Sequence, residues 1–208
     1  MVDAMSSTLS FSGPRIAALA AKAERGQWLA VETQDWDERI SLPWWLPRKF
    51  QAAVVSQFYH GEVATIRMCR KLLGAISDPT ARRCVEWQIA DEKRHAEVYL
   101  DYLRAVGPLQ PMHPVLKAAA ETALSWGEND PGLMTAAFTI ILEAEAVFAL
   151  NYLGRWLRCP KFRRINSRIC KDEARHLAFG RIYLKQQFDG LDQQKRMQTY
   201  RRLRALWR

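Results

Sequence analysis

ADEKRHAEV, residues 90–98, and KDEARHLAFG, residues 171–180, carry the same phrase, Asp-Glu-x-Arg-His, at an offset of 81 residues. The same offset aligns Glu62 with Glu143, Pro79 with Pro160 and Arg83 with Arg164. Each half therefore reads as a glutamate followed 30 residues later by Glu-x-x-His. The surrounding sequence is rich in Ala, Leu, Arg, Glu and Lys, all good helix formers. A helical hairpin written twice is the simplest reading, and it sets the fold class.

The remaining elements follow outward from the repeat. A first long helix is expected from about Pro47 to Ile76, with Val55, Phe58, Ile66, Cys69 and Leu73 at helical spacing. Ser77-Asp78-Pro79 supplies a cap and a first-turn proline for a second helix running to about Val106. A shorter helix, about Pro114 to Trp126, crosses to Asp130-Pro131, which repeats the start signal for a third long helix reaching Arg158. Cys159-Pro160 opens a fourth, ending near Phe188. The N-terminal part (1–46) reads as a loose tail over 1–13, a short helix from Pro14 to Trp28, and an ordered loop through WDERISLPWWLPRKF. A basic amphipathic helix closes the chain over 190–208. The expectation is an all-α four-helix bundle with a crossover helix and additional terminal helices, one domain over 1–208 with its core at about 47–188.

Composition is that of an ordinary globular protein, 49% apolar and 25% charged in 208 residues. No stretch reads as a membrane span and no signal peptide is evident, so a cytoplasmic protein is expected. Cys69, Cys84, Cys159 and Cys170 form no Cys-x-x-Cys pair, which argues against a zinc ribbon or a disulfide framework. The net charge of +9 favours acidic partners or substrates without naming one.

Residues three apart on a helix share a face, so Glu92 points with His95 and Glu173 with His176. Both pairs fall on apolar seams, and Glu62 and Glu143 lie between apolar neighbours on theirs. Four glutamates facing a bundle core are very costly unless positive charge meets them. Two divalent cations would cancel four carboxylates, with two imidazoles as neutral ligands, and this donor set suits iron or manganese. The candidate ligands are Glu62, Glu92, His95, Glu143, Glu173 and His176. Glu97 and Glu145 compete but do not keep the 30-residue interval, and read as polar-face residues.

Over about 47–188 these residues resemble the ferritin-like di-iron carboxylate superfamily. The Asp-Glu-x-Arg-His form looks most like its oxygen-activating branch: arylamine N-oxygenases, bacterial multicomponent monooxygenase hydroxylases and ribonucleotide reductase small subunits. The resemblance implies that Asp91 holds His176 and Asp172 holds His95, with Arg94 and Arg175 tying the carboxylates down. It implies two iron ions, or manganese with iron, dioxygen as co-substrate, and an external electron donor such as a ferredoxin or reductase. It departs from the arylamine N-oxygenases at Ile169, where they carry a further histidine. Tyr99 stands where reductase subunits place a radical tyrosine, but the first ligand here is Glu62 where that family has Asp.

The expected activity is oxidation of a small organic substrate, free or carried on a protein, against pocket walls formed by Phe58, Tyr59, Ile66, Tyr99, Thr139, Ile140 and Val147. The alternatives are a ferroxidase or iron-handling protein, a tRNA-modifying hydroxylase, and a metal-free helical adaptor. The basic tail reads first as a helix packed by its apolar stripe with a solvated basic face, then as a dock for an acidic partner, and last as a nucleic-acid surface; no membrane partner is expected, and a homodimer stays open.

Overall fold

A computed structural model describes residues 13–33, 40–41, 43–156 and 159–207. The expected tail over 1–12, part of the loop before Pro47, the end of the third long helix at 157–158 and Arg208 lie outside the described residues.

The helix starts are capped as their sequences dictate. Asp78 accepts the Ala81 N–H at 2.8 Å and Pro79 fills a first-turn position whose N–H would have no helical acceptor. Asp130 accepts the Leu133 N–H at 2.8 Å, with Pro131 next in line. The helices are α1 (Pro14–Arg25), α2 (Arg48–Ala75), α3 (Pro79–Val106), α4 (Pro114–Trp126), α5 (Pro131–Ala136), α6 (Ala144–Trp156), α7 (Pro160–Asp189) and α8 (Gln193–Trp207). A 3-10 turn, Ala30–Thr33, follows α1. The π-helical segment Ala137–Glu143 joins α5 to α6.

The α2–α3 hairpin packs against the hairpin of α5, the π segment, α6 and α7; α4 crosses between them, and α1 lies on α3 and α7. Among the described residues the architecture is all-helical: a ferritin-like bundle with a crossover helix and terminal helices. Two apolar clusters fill it. One includes Met68, Val85, Phe138 and Phe179; the other includes Val55, Val98, Leu150 and Ile169. On α2, α3 and α7 alike, the candidate ligands fall between a residue of one cluster and a residue of the other. Each fully buried side chain of this size contributes about 1.5–3 kcal/mol, and the apolar flanks offset the cost of the polar layer they enclose.

Two elements differ from expectation. α1 stops at Arg25, short of Trp28, because Gln27 and Trp28 leave the helix to bond aspartates of the bundle. The third long helix is not regular: its wider π turns insert an extra residue and shift the seam. Ile141 is buried in consequence, while Ile140 is 53% exposed. The continuous helix from Pro131 to Trp156 is also long and apolar enough to cross a membrane, contrary to the sequence reading, although 56% of its most apolar stretch is buried in the bundle. It is a core helix by that measure. α7 approaches the π segment so closely that a methyl group at Gly180 would lie 2.6 Å from Thr139 Cγ2, so glycine alone fits there.

Candidate metal centre

Glu62 comes from α2, Glu92 and His95 from α3, Glu143 from the end of the π segment, and Glu173 and His176 from α7. All six are buried. His95 Nδ1 lies 3.8 Å from Glu62 Oε1, 3.3 Å from Glu92 Oε2 and 3.3 Å from Glu173 Oε1. His176 Nδ1 lies 3.2 Å from Glu92 Oε1 and 3.3 Å from Glu173 Oε2. Glu92 and Glu173 thus each turn one oxygen toward each histidine. Donor atoms of Glu62, Glu92, His95 and Glu173 lie within 4.8 Å of one another. Glu143 and His176 stand toward the opposite oxygens, where Gln88 Nε2 donates to Glu143 Oε1 at 3.0 Å and to Glu92 Oε1 at 3.2 Å.

Behind the histidines the aspartates are crossed between helices. Asp172 of α7 accepts from His95 Nε2 at 3.1 Å, Trp28 Nε1 at 2.8 Å and Arg94 at 3.2 Å, and forms an ion pair with Arg175 at 2.7 Å. Asp91 of α3 accepts from His176 Nε2 at 3.0 Å, Arg175 at 3.0 Å, Gln27 Nε2 at 2.9 Å and Arg94. With Nε2–H assigned as donor to a carboxylate, the Nδ1 atom of each ring faces the cluster. The Trp28 indole also lies 4.6 Å from the guanidinium carbons of both Arg94 and Arg168, adding cation–π attraction to its hydrogen bond. Burial alone would raise both aspartates, yet the histidine beside each, with Trp28 and Arg175 at Asp172, holds them below the usual carboxylate range.

The buried atoms Glu92 Oε2, His95 Nδ1 and Glu143 Oε2 have no hydrogen-bond partner. An orphaned buried polar atom costs about 1–3 kcal/mol, and these three belong to one cluster. Burial, then repulsion from Glu92, drives Glu62 well above its ordinary pKa. Burial, then repulsion from Glu173 and Glu92, pushes Glu143 up to about 8. Burial opposes charge on both imidazoles, but the carboxylates around them raise both well above the ordinary histidine value. The cluster draws positive charge to itself, and carboxylate oxygens with inward-facing imidazole nitrogens are the donor set that iron or manganese accepts.

A cavity of about 290 Å³ opens onto the four glutamates. Phe58 lines it, as do Ala64, Met112, Leu116, Ile141 and Leu142, with Glu145 and Ala149 among the α6 residues in its wall. Tyr59, Ile66, Tyr99, Thr139, Ile140 and Val147 do not line it, which corrects the expected pocket. The π segment turns Ile140 outward and puts Ile141 in its place, while Thr139 packs on Gly180. Glu145 was expected on a plain polar face; it is exposed yet belongs to the cavity wall. Tyr99 is fully buried and stacks on Phe58 at 5.7 Å, and burial followed by the nearby Glu62 and Glu173 raises its phenol well above the ordinary value. All four cysteines are free.

Sequence reasoning missed Gln88, Gln27 and Trp28. Gln88 carried a signal: it is four residues before Glu92 on the same face, and the 81-residue offset pairs it with Ile169, so the repeat breaks there. Gln27 and Trp28 carried none, because their partners lie 64 and 144 residues away.

Fold and cluster together define a ferritin-like helical bundle with a buried carboxylate–histidine centre between its two hairpins. No family model matches the sequence, and no curated protein is significantly similar to it. Among solved structures it is similar to the R2-like ligand-binding oxidase from Sulfolobus acidocaldarius, with a TM-score of 0.64 and 16% sequence identity. The superposition covers 100% of this chain and 94% of that one, a likeness of fold across the whole chain.

Proposed function

We propose that the cluster holds two iron ions and that the protein is a dioxygen-dependent oxidase or oxygenase acting on an apolar small molecule. The observation that carries this reading is the pair of histidines, each turned inward by an aspartate, facing opposite oxygens of the same two glutamates at the floor of an apolar cavity. Glu92 and Glu173, each turning one oxygen toward each histidine, would help to hold both ions. Glu62 and His95 would complete one position, and Glu143 and His176 the other. Bound iron would supply the redox chemistry with dioxygen, and manganese in one position fits the same donors. Asp91 and Asp172 hold the Nε2 protons so that each Nδ1 stays a lone-pair donor. The histidine beside each aspartate, with Arg94 at Asp91 and with Trp28 and Arg175 at Asp172, keeps it ionised. The apolar wall from Phe58 to Ala149 excludes water and accepts the substrate, and the neighbour's designation as a ligand-binding oxidase fits a chain with such a cavity. Electrons would come from an external ferredoxin or reductase.

Anaerobic loading with ferrous iron, followed by mixing with oxygenated buffer, tests the reading. Binding should saturate at about two irons per chain, the number a ferritin-like dimetal site holds, and oxygen consumption should stop when the bound ferrous iron is oxidised. Iron uptake continuing far past that stoichiometry would instead identify a ferroxidase, and absence of specific binding would remove the dimetal assignment.

A further inference from the structure

The outer face of α6 presents Ala144, Glu145, Phe148, Asn151, Tyr152, Arg155 and Trp156, all exposed. Their spacing of three and four residues makes one stripe along the helix. The Phe148 and Tyr152 rings stack at 6.3 Å, Tyr152 and Trp156 stack at 6.3 Å, and Trp45 meets Trp156 edge-on at 5.7 Å. Trp44, next to Trp45 in the sequence, is 96% exposed. A continuous exposed aromatic ridge of this kind marks an interaction surface.

The stripe is its own complement when reversed. About the level of Leu150, Phe148 exchanges with Tyr152, Glu145 with Arg155, and the small Ala144 with the large Trp156. Two antiparallel copies would set aromatic against aromatic, acid against base and small against large, each contact occurring twice, as an isologous two-fold interface requires. Charge points the same way. A net +9 repels one copy from another, so self-association needs a face whose own charges cancel. The exposed stripe of α6 carries one acid and one base.

We propose that α6 pairs antiparallel with α6 of a second copy of this chain, and that Arg155 of the second copy reaches Glu145 at the cavity wall. The partner would then supply a residue to the rim of the cavity that opens onto the carboxylates, and the two cavities of the dimer would share one aromatic seam. Self-pairing needs no metal, so it stands or falls separately from the iron reading.

Sedimentation velocity on the full chain at micromolar concentration should give a species of twice the 24.0 kDa chain mass. Phe148→Glu should give a folded monomer, its helix content checked by circular dichroism. Glu145→Arg places like charges together at two symmetric positions and should weaken the dimer roughly tenfold or more. The double reversal Glu145→Arg with Arg155→Glu should restore it, which only the antiparallel register predicts. A wild-type monomer, a dimer indifferent to Phe148→Glu, or a double variant as weak as the single one would overturn the proposal. So would a monomer that binds phosphatidylglycerol vesicles through this face, which would make the stripe a lipid contact.

Discussion

Glu92→Ala is expected to abolish two-metal binding altogether, whereas Glu97→Ala, five residues further along the same helix, leaves it intact. Glu92 turns Oε2 toward His95 and Oε1 toward His176, so its loss removes a donor from both positions. Glu97 is exposed and faces neither. Removing a residue that merely orients a ligand typically costs 10–100-fold in metal affinity, and a shared ligand should cost about 100-fold or more at each position. Equilibrium dialysis against ferrous iron under anaerobic conditions reads this directly. A variant that still retains two irons per chain would show that Glu92 does not serve both positions. Stability should fall too. Burial opposes charge on Glu92, yet His176 and His95 hold it well below its ordinary pKa, so without metal alanine leaves both imidazoles short of a carboxylate partner and the apo variant should melt below the parent.

Asp172→Ala is expected to be the most destabilising single change in the molecule. Its carboxylate accepts from His95, Trp28 and Arg94 and pairs with the Arg175 guanidinium, and both arginine side chains are only 8% exposed. Two aspartates and two arginines balance in this network; deleting one aspartate leaves a buried guanidinium charge without its counterpart. Breaking a buried pair this way costs about 3–5 kcal/mol. At about 2–4 °C per kcal/mol for a chain of this size, the melting temperature should fall by about 6–20 °C. The loss should be present in the apo protein, since it arises in the hydrogen-bonded network and not in metal binding. Metal affinity should fall as well, by about 10–100-fold, because His95 loses the acceptor that fixes its tautomer. Asp172→Asn keeps the volume and an acceptor oxygen and should sit between the parent and the alanine variant. Thermal unfolding that left Asp172→Ala within about 1 kcal/mol of the parent would mean that water, not Asp172, satisfies the arginines.

The bundle was legible because its signals are local and periodic. Asp78-Pro79 and Asp130-Pro131 announce helix starts through one side chain and one fixed φ, and the observed helices begin where those signals stand. The gathering of six side chains was legible through the repeat, since a three-residue spacing on a helix decides which groups share a face. The π segment was not legible. Ala-Phe-Thr-Ile-Ile-Leu-Glu has no proline or glycine to mark a change of helix type, and the wider turns follow from tertiary contacts such as Thr139 against Gly180. The pocket expected from regular helical spacing was therefore misplaced by one residue at Ile140, and most of the real wall, from Met112 to Ala149, went unread. The network behind the histidines was half legible. Asp91, Asp172, Arg94 and Arg175 repeat with the candidate ligands, while Gln27 and Trp28 arrive from a segment with no counterpart in the second half.

Under the proposed reading Glu62, Glu92, His95, Glu143, Glu173 and His176 would together hold two metal ions. The most direct measurement is anomalous scattering at the iron edge from crystals loaded anaerobically with ferrous iron. The account predicts two peaks, one contacted by Glu62, Glu92, His95 and Glu173, the other by Glu92, Glu143, Glu173 and His176. A single peak, or iron bound away from these six side chains, would contradict it.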